Sequence, residues 1–140
     1  MEMLVVIAVL AIMAAIAIPS FMALLPGMRL NGAARQVAGD LMAARMKAVK
    51  LNQRTKVYFD NGSQYRICDD ADNDGTVADG EGDDVVIRNI QSNYHDVVFT
   101  SATDPVFSPR GTATNRTIAL QNSSGSKSIT ISIAGRVIIN

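Results

Sequence analysis

Residues 2–28 read EMLVVIAVLAIMAAIAIPSFMALLPGM, a single acid followed by no charged residue at all from Met3 to Met28. At a helical rise of ~1.5 Å per residue, Met3 to Leu25 extends about 35 Å, enough to cross a hydrocarbon core of ~30 Å. A cleaved secretory signal has an apolar core of only about 7–15 residues, set behind a basic segment and ahead of an A-x-A-like site. Here Glu2 is the only charge before the run. The segment therefore reads as a spanning helix over residues 1–27, ahead of a globular domain over residues 28–140. Pro19 and the pair Pro26-Gly27 interrupt it. An interior proline removes a backbone donor and crowds the preceding turn at ~3 kcal/mol, which predicts a kinked or melted stretch between Ile18 and Gly27.

Beyond the prolines, Val37, Leu41, Ala44, Ala48 and Leu51 recur at helical spacing, with Arg35, Gln36, Asp40, Arg45, Lys47 and Lys50 on other faces. This predicts an amphipathic helix over residues 30–52 whose narrow stripe of small residues suits packing on a sheet. From Arg54 the period becomes two. Thr55–Phe59 and Gln64–Cys68 flank Asp60-Asn61-Gly62-Ser63, a hairpin signal. Further strands are expected at 85–90, 96–100, 106–108, 116–120, 128–133 and 136–139, separated by Gly, Pro, Asn and Ser clusters. The expected fold is α+β, with an antiparallel β module over residues 53–140 that needs the helix as its lid.

Composition narrows the function. There are 13 Lys+Arg and 13 Asp+Glu, one His, one Cys and no Trp. That excludes a disulfide framework, a Cys-rich zinc site and a generic basic nucleic-acid binder. Cys68 and His95 form no nucleophile motif and read as a strand-end thiol and a surface imidazole, so no enzyme is expected. The neutral total conceals two opposed blocks. Seven bases against Asp40 lie between Met28 and Lys56, about +6, and eight acids with no base lie between Asp69 and Asp84, about −8.

Within the acidic block, Asp70-Ala71-Asp72-Asn73-Asp74-Gly75-Thr76-Val77-Ala78-Asp79-Gly80-Glu81 matches the calcium-loop spacing. Acids stand at positions one, three and five, Gly at six and Glu at twelve. Alternate acids with a Gly-enabled turn aim hard oxygens inward, and calcium takes six to eight of them. Asp70, Asp72, Asp74, Thr76 and Glu81 are therefore the candidate calcium ligands. No helix pair flanks the loop, so a solvated acidic turn between strands stays open as the alternative.

The run from Glu2 to Pro19 resembles the N-terminus of type IV pilins and type II secretion pseudopilins. Leu41–Arg54, Phe107-Ser108-Pro109-Arg110-Gly111 and Ile131–Val137 resemble the minor pseudopilin H and fimbrial-biogenesis pilin group. The resemblance covers nearly the whole chain and is weakest between Asp69 and Val98. It implies that residues 1–27 serve as a transmembrane and then filament-core helix, with Glu2 and Pro19 as assembly residues. Glu2 would meet the terminal amine of a neighbouring subunit. The implied function is a structural subunit of a type IV pilus-like or type II secretion pseudopilus filament. The alternative is a minor or tip pilin acting as a binding module in DNA uptake or adhesion through Arg110, Arg116 and Arg136. Implied partners are further copies or other pilins in a helical filament and the inner-membrane assembly machinery. The implied location is the bacterial inner membrane, single pass, before assembly, and an extracellular or periplasmic filament afterwards.

Two departures from the family pattern matter. The family has Phe-Thr-Leu-Ile, a basic leader and a Gly cleavage site ahead of the glutamate, whereas Met1 alone precedes Glu2 here. Either the assigned start is shortened or maturation differs, and methylation of a terminal phenylalanine does not follow from these residues. Gly135-Arg136-Val137-Ile138 lacks the second arginine of the DNA-uptake pilins, so nucleic acid is not expected as a partner.

Overall fold

The computed structural model describes residues 2–82 and 85–140, and of Glu2 the backbone alone. Helix α1 runs from Glu2 to Leu51, and eight strands follow. They are β1 (Thr55–Phe59), β2 (Gln64–Asp69), β3 (Val86–Asn89), β4 (Val98–Ser101), β5 (Val106–Phe107), β6 (Arg116–Asn122), β7 (Gly125–Ile131) and β8 (Val137–Ile139). They form two four-stranded sheets, ordered β3-β2-β1-β5 and β4-β6-β7-β8, with every pairing antiparallel. The architecture is the expected α+β fold.

The expected melting between Ile18 and Gly27 does not occur: α1 is continuous through Pro19 and Pro26. Each proline deletes one amide donor, to Ala15 and Met22 respectively, while the neighbouring turns keep theirs and carry the helix across. Around the second proline the helix is also stitched from outside its own ladder. Asn122 Nδ2 donates to the Pro26 carbonyl at 2.7 Å, and Asn31 Nδ2 donates to the Gly27 carbonyl at 2.9 Å. At the other end Asn52 adopts φ 54° and Gln53 N–H reaches back to the Ala48 carbonyl at 3.2 Å. That is a Schellman closure, which satisfies a carbonyl the helix end would otherwise leave open.

The C-terminal half of α1 packs on β1 and β5 of the first sheet and on β6, β7 and β8 of the second. Its buried face is wider than the narrow stripe expected from sequence. Leu30, Ala33, Ala34 and Ala38 join Val37, Leu41, Ala44 and Ala48, whereas Leu51 lies past the sheets and is exposed. Two sheets straddle the helix, so residues on either flank of the stripe are covered. Phe59, Tyr65 and Phe99 pack together with ring centroids 5.0–6.0 Å apart and join the first sheet to β4 of the second. The β1–β2 turn reinforces that seam, since the Gly62 carbonyl accepts Phe99 N–H at 2.8 Å. The buried Tyr65 hydroxyl donates to Asp40 Oδ2 on α1. Burial, then that bond, pushes the phenol well above its ordinary pKa, so it stays a protonated donor.

The two C-terminal segments that carry the family resemblance meet at one joint. Arg45 Nε donates to the Gly111 carbonyl at 2.8 Å, and its Nη2 reaches the Ala134 carbonyl at 3.4 Å. One guanidinium thus ties the β5–β6 loop and the β7–β8 turn to the helix. Gly135 sits there at φ 73°, and a Cβ on it would collide with the Gly111 carbonyl and the Arg45 side chain.

Three substitutions test this packing. Gly135→Ala combines left-handed strain with overpacking and is expected to cost about 2–4 kcal/mol in denaturant unfolding of the detergent-solubilised chain. Gly39→Ala, in α1 with open space around its Cβ position, is expected to stabilise by ~0.5–1 kcal/mol. Equal effects would show that the joint is not held by Gly135. Tyr65→Phe removes the donor to Asp40 and is expected to cost about 1–2 kcal/mol in the same assay.

Candidate functional site

Two regions remain after the core is accounted for: the N-terminal half of α1 and the loop between β2 and β3. From Met3 to Leu24 every residue of α1 is exposed, including Leu4, Val5, Ile7, Leu10, Ile12, Ile16 and Phe21. This half of the helix is long and apolar enough to span a bilayer and has none of its surface buried against the rest of the chain. The helix divides by partner: small residues beyond Leu30 face the sheets, and the uncharged run before Leu25 faces none of this chain. On the outer face of the buried half, Met42, Met46 and Val49 are also exposed. Pro19 lies within the exposed half, and the side chain of Glu2 lies outside the described residues.

The β2–β3 loop is ordered by its own acids and by two bases of the preceding block. Strand β2 continues the ladder past Asp69, since Asp70 N–H donates to the Arg54 carbonyl at 2.9 Å. Asp69 is buried and pairs with Lys47 on α1 at 2.6 Å. Arg54 Nη1 donates to the Gly75 carbonyl. The basic and acidic blocks of the sequence therefore already meet inside one chain. Farther along, Asp79 pairs with Arg66 at 2.9 Å, and Arg66 is also held by Asp60.

The five candidate calcium ligands separate into two groups. One carboxylate oxygen each from Asp70, Asp72 and Asp74 lie within 4.8 Å of one another. Gly75 N–H donates to Asp70 Oδ2 at 3.1 Å, and Asp74 N–H donates to Asp72 Oδ1 at 3.1 Å. Thr76 donates both its N–H and its hydroxyl to Asp74 Oδ1, at 2.7 and 2.6 Å. Those two bonds, hydroxyl first, hold the Asp74 carboxyl below its ordinary pKa. Glu81 is turned elsewhere: its Oε1 accepts Ala71 N–H at 3.0 Å and its Oε2 accepts Ala78 N–H at 2.6 Å. Gly75 takes the turn at φ 91°, as the sixth loop position requires. Asp83 and Asp84 lie outside the described residues.

The remaining candidates make no common site. Cys68 is buried in β2, and burial raises its thiol pKa, the opposite of an activated nucleophile. His95 Nε2 lies 3.0 Å from Arg29 Nη1 on α1, a contact that does not involve Cys68. Arg110 and Arg136 are exposed, and among the described residues Arg116 donates to the neighbouring Asn115 carbonyl. The polar feature that sequence reasoning missed is Asn122, whose side chain bridges Asp96 and the Pro26 carbonyl; nothing in the local sequence marks that role.

Comparison with known proteins bears on the buried half of α1 and the two sheets. A family model described as type II transport protein GspH matches residues 33–135. No curated protein matches the sequence. Among solved structures, the type IV minor pilin FimU of Pseudomonas aeruginosa superposes with a TM-score of 0.60 at 20% identity, over 79% of this chain and 87% of that one. The minor pseudopilin EpsH from the type 2 secretion system of Vibrio cholerae gives a TM-score of 0.61 at 12% identity, over 80% and 96% of the two chains. These likenesses are of fold, and the family model covers the buried half of α1 and nearly all of both sheets. The chain belongs to the family of type II transport protein GspH, with a pilin-like fold built on one long helix and two antiparallel sheets.

Proposed function

We propose that the chain is a minor subunit that waits in the bacterial inner membrane as a single-pass protein and is then drawn into a filament through the exposed half of α1. The observation that carries this reading is the uncharged, wholly exposed face from Met3 to Leu24 on a helix whose other half is buried. Such a surface needs either lipid or neighbouring helices around it. Copies of the chain or other pilins supply the second, and an inner-membrane assembly machinery makes the exchange. The filament is of the type IV pilus or type II secretion pseudopilus kind.

Glu2 has a distinct role in this scheme. A carboxylate at the edge of an apolar span is costly without a partner, and a neighbouring subunit's terminal amine in a low-dielectric filament core would neutralise it. Such a pair sets the register between subunits more than it adds net stability. Pro19 tunes the same segment by removing one helix hydrogen bond within the span.

Two substitutions test the reading in cells that assemble the filament. Glu2→Ala is expected to reduce incorporation of the chain, read by mass spectrometry of purified filaments, while the protease resistance of the globular domain stays unchanged. Incorporation at the native level would remove Glu2 from the assembly residues. Ile12→Lys places a charge near the middle of the span at a cost of ~2.5–3.5 kcal/mol and is expected to lower both membrane insertion and incorporation. A charged variant that still enters filaments normally would show that the exposed helix is not the assembly surface.

A further inference from the structure

The acids of the β2–β3 loop are not equivalent in their partners. Asp69 is paired with Lys47, Asp79 with Arg66, and Glu81 with two backbone amides. Asp70, Asp72 and Asp74 have no ion pair among the described residues, yet they converge to within 4.8 Å. The nearby cations are engaged: Lys47 and Arg66 by other acids, and Arg54 by the Gly75 carbonyl. A second observation is independent of this clustering. Asp70 is only 2% exposed, and its Oδ1 has no hydrogen-bond partner among the described residues. A buried carboxylate oxygen without a donor is unfavourable, and a cation held against it would satisfy it.

We propose that the β2–β3 loop binds a calcium ion through Asp70, Asp72 and Asp74, in a strand–loop–strand setting. Calcium–oxygen distances of 2.3–2.6 Å place any two ligands of one ion no more than about 4.6–5.2 Å apart, and the three carboxylates already fall inside that limit. The donors are all oxygen, the choice of a hard cation. Calcium tolerates the irregular, flexible coordination that a loop of this kind offers, whereas magnesium demands a near-ideal octahedron. Backbone carbonyls of the loop and water complete the shell. Glu81 stays on the amides of Ala71 and Ala78 and closes the loop from behind, which departs from the helix–loop–helix arrangement with the same spacing. Because Asp69 and Asp70 fasten the loop to Lys47 and to the Arg54 carbonyl, the ion stabilises the packing of the first sheet on the end of α1.

The test uses the full chain in detergent micelles, stripped with chelator and then titrated with calcium chloride while the unfolding temperature is followed by circular dichroism. A saturable rise in Tm is expected, half-complete on the order of 10⁻⁴–10⁻³ M as in extracellular calcium modules. The double variant Asp72→Asn/Asp74→Asn, at two exposed positions, is expected to need at least tenfold more calcium for the same rise. Asp79→Asn, an acid of the same loop paired with Arg66, is expected to respond like the native chain. Three results would each overturn the proposal: a Tm unmoved at about ten times that concentration, an equal rise with magnesium at the same ionic strength, or an equal loss of response in Asp79→Asn and the double variant.

Discussion

Burial of one helix face between two small sheets is the constraint on which the rest of this chain depends. Each sheet has four short strands, too few to form an independent core, and the inner faces of both are closed by the same stretch of α1. Ala33, Ala34, Ala44 and Ala48 are almost fully buried there, so the sheets approach the helix backbone closely from both flanks. Large residues fill the volume where the sheets diverge: Leu30, Val37 and Leu41 from the helix, Phe107, Ile118, Leu120, Ile129 and Ile131 from the strands. Because the lid is half of a continuous helix, the exposed half extends directly from the globular part.

The ends of that lid are pinned by polar contacts. Near its start, Asn122 from the β6–β7 hairpin holds the Pro26 carbonyl; near its end, Arg45 holds the Gly111 and Ala134 carbonyls and Lys47 holds Asp69. A long side chain from the helix reaching main-chain carbonyls fixes loops that bury little apolar surface of their own, Ile133 being exposed. The arginine's planar fork suits this better than a lysine would, since two of its N–H groups address two different carbonyls.

The sequence disclosed what local periodicity encodes and withheld what tertiary assembly decides. The apolar helix and its amphipathic continuation, the hairpin around Asn61-Gly62 and the positions of the later strands were readable, because apolar spacing and turn residues act over a few positions. The division into two sheets was not, because strands of two to seven residues carry no signal for which neighbour they pair with. For the same reason the flanking contacts of Ala33, Ala34 and Ala38 were missed. The proline-induced break was overestimated, since propensity prices one residue and ignores the turns on either side. At the acidic loop, spacing alone put Asp70, Asp72, Asp74 and Glu81 on an equal footing. Only the fold shows that Glu81 is occupied by amides and that Asp70 is buried.

The folded charges also change which forces are available for assembly. The basic and acidic blocks meet within the chain through Lys47–Asp69 and Arg54–Gly75, which leaves less opposed charge for contacts between subunits. An exposed ion pair is worth only about 0–1 kcal/mol, so the apolar helix dominates any account of association. Yet a helix that moves from lipid to the centre of a filament exchanges one apolar surrounding for another, and the hydrophobic term largely cancels between the two states. What then distinguishes filament from membrane is closeness of packing and the fate of isolated polar groups. Ala8, Ala11, Ala14, Ala15 and Ala17 allow close helix approach, and in the proposed assembly Glu2 would gain a partner only in one of the two states. In the proposed assembly the long apolar run would permit residence in both environments, and its small residues together with Glu2 would select between them.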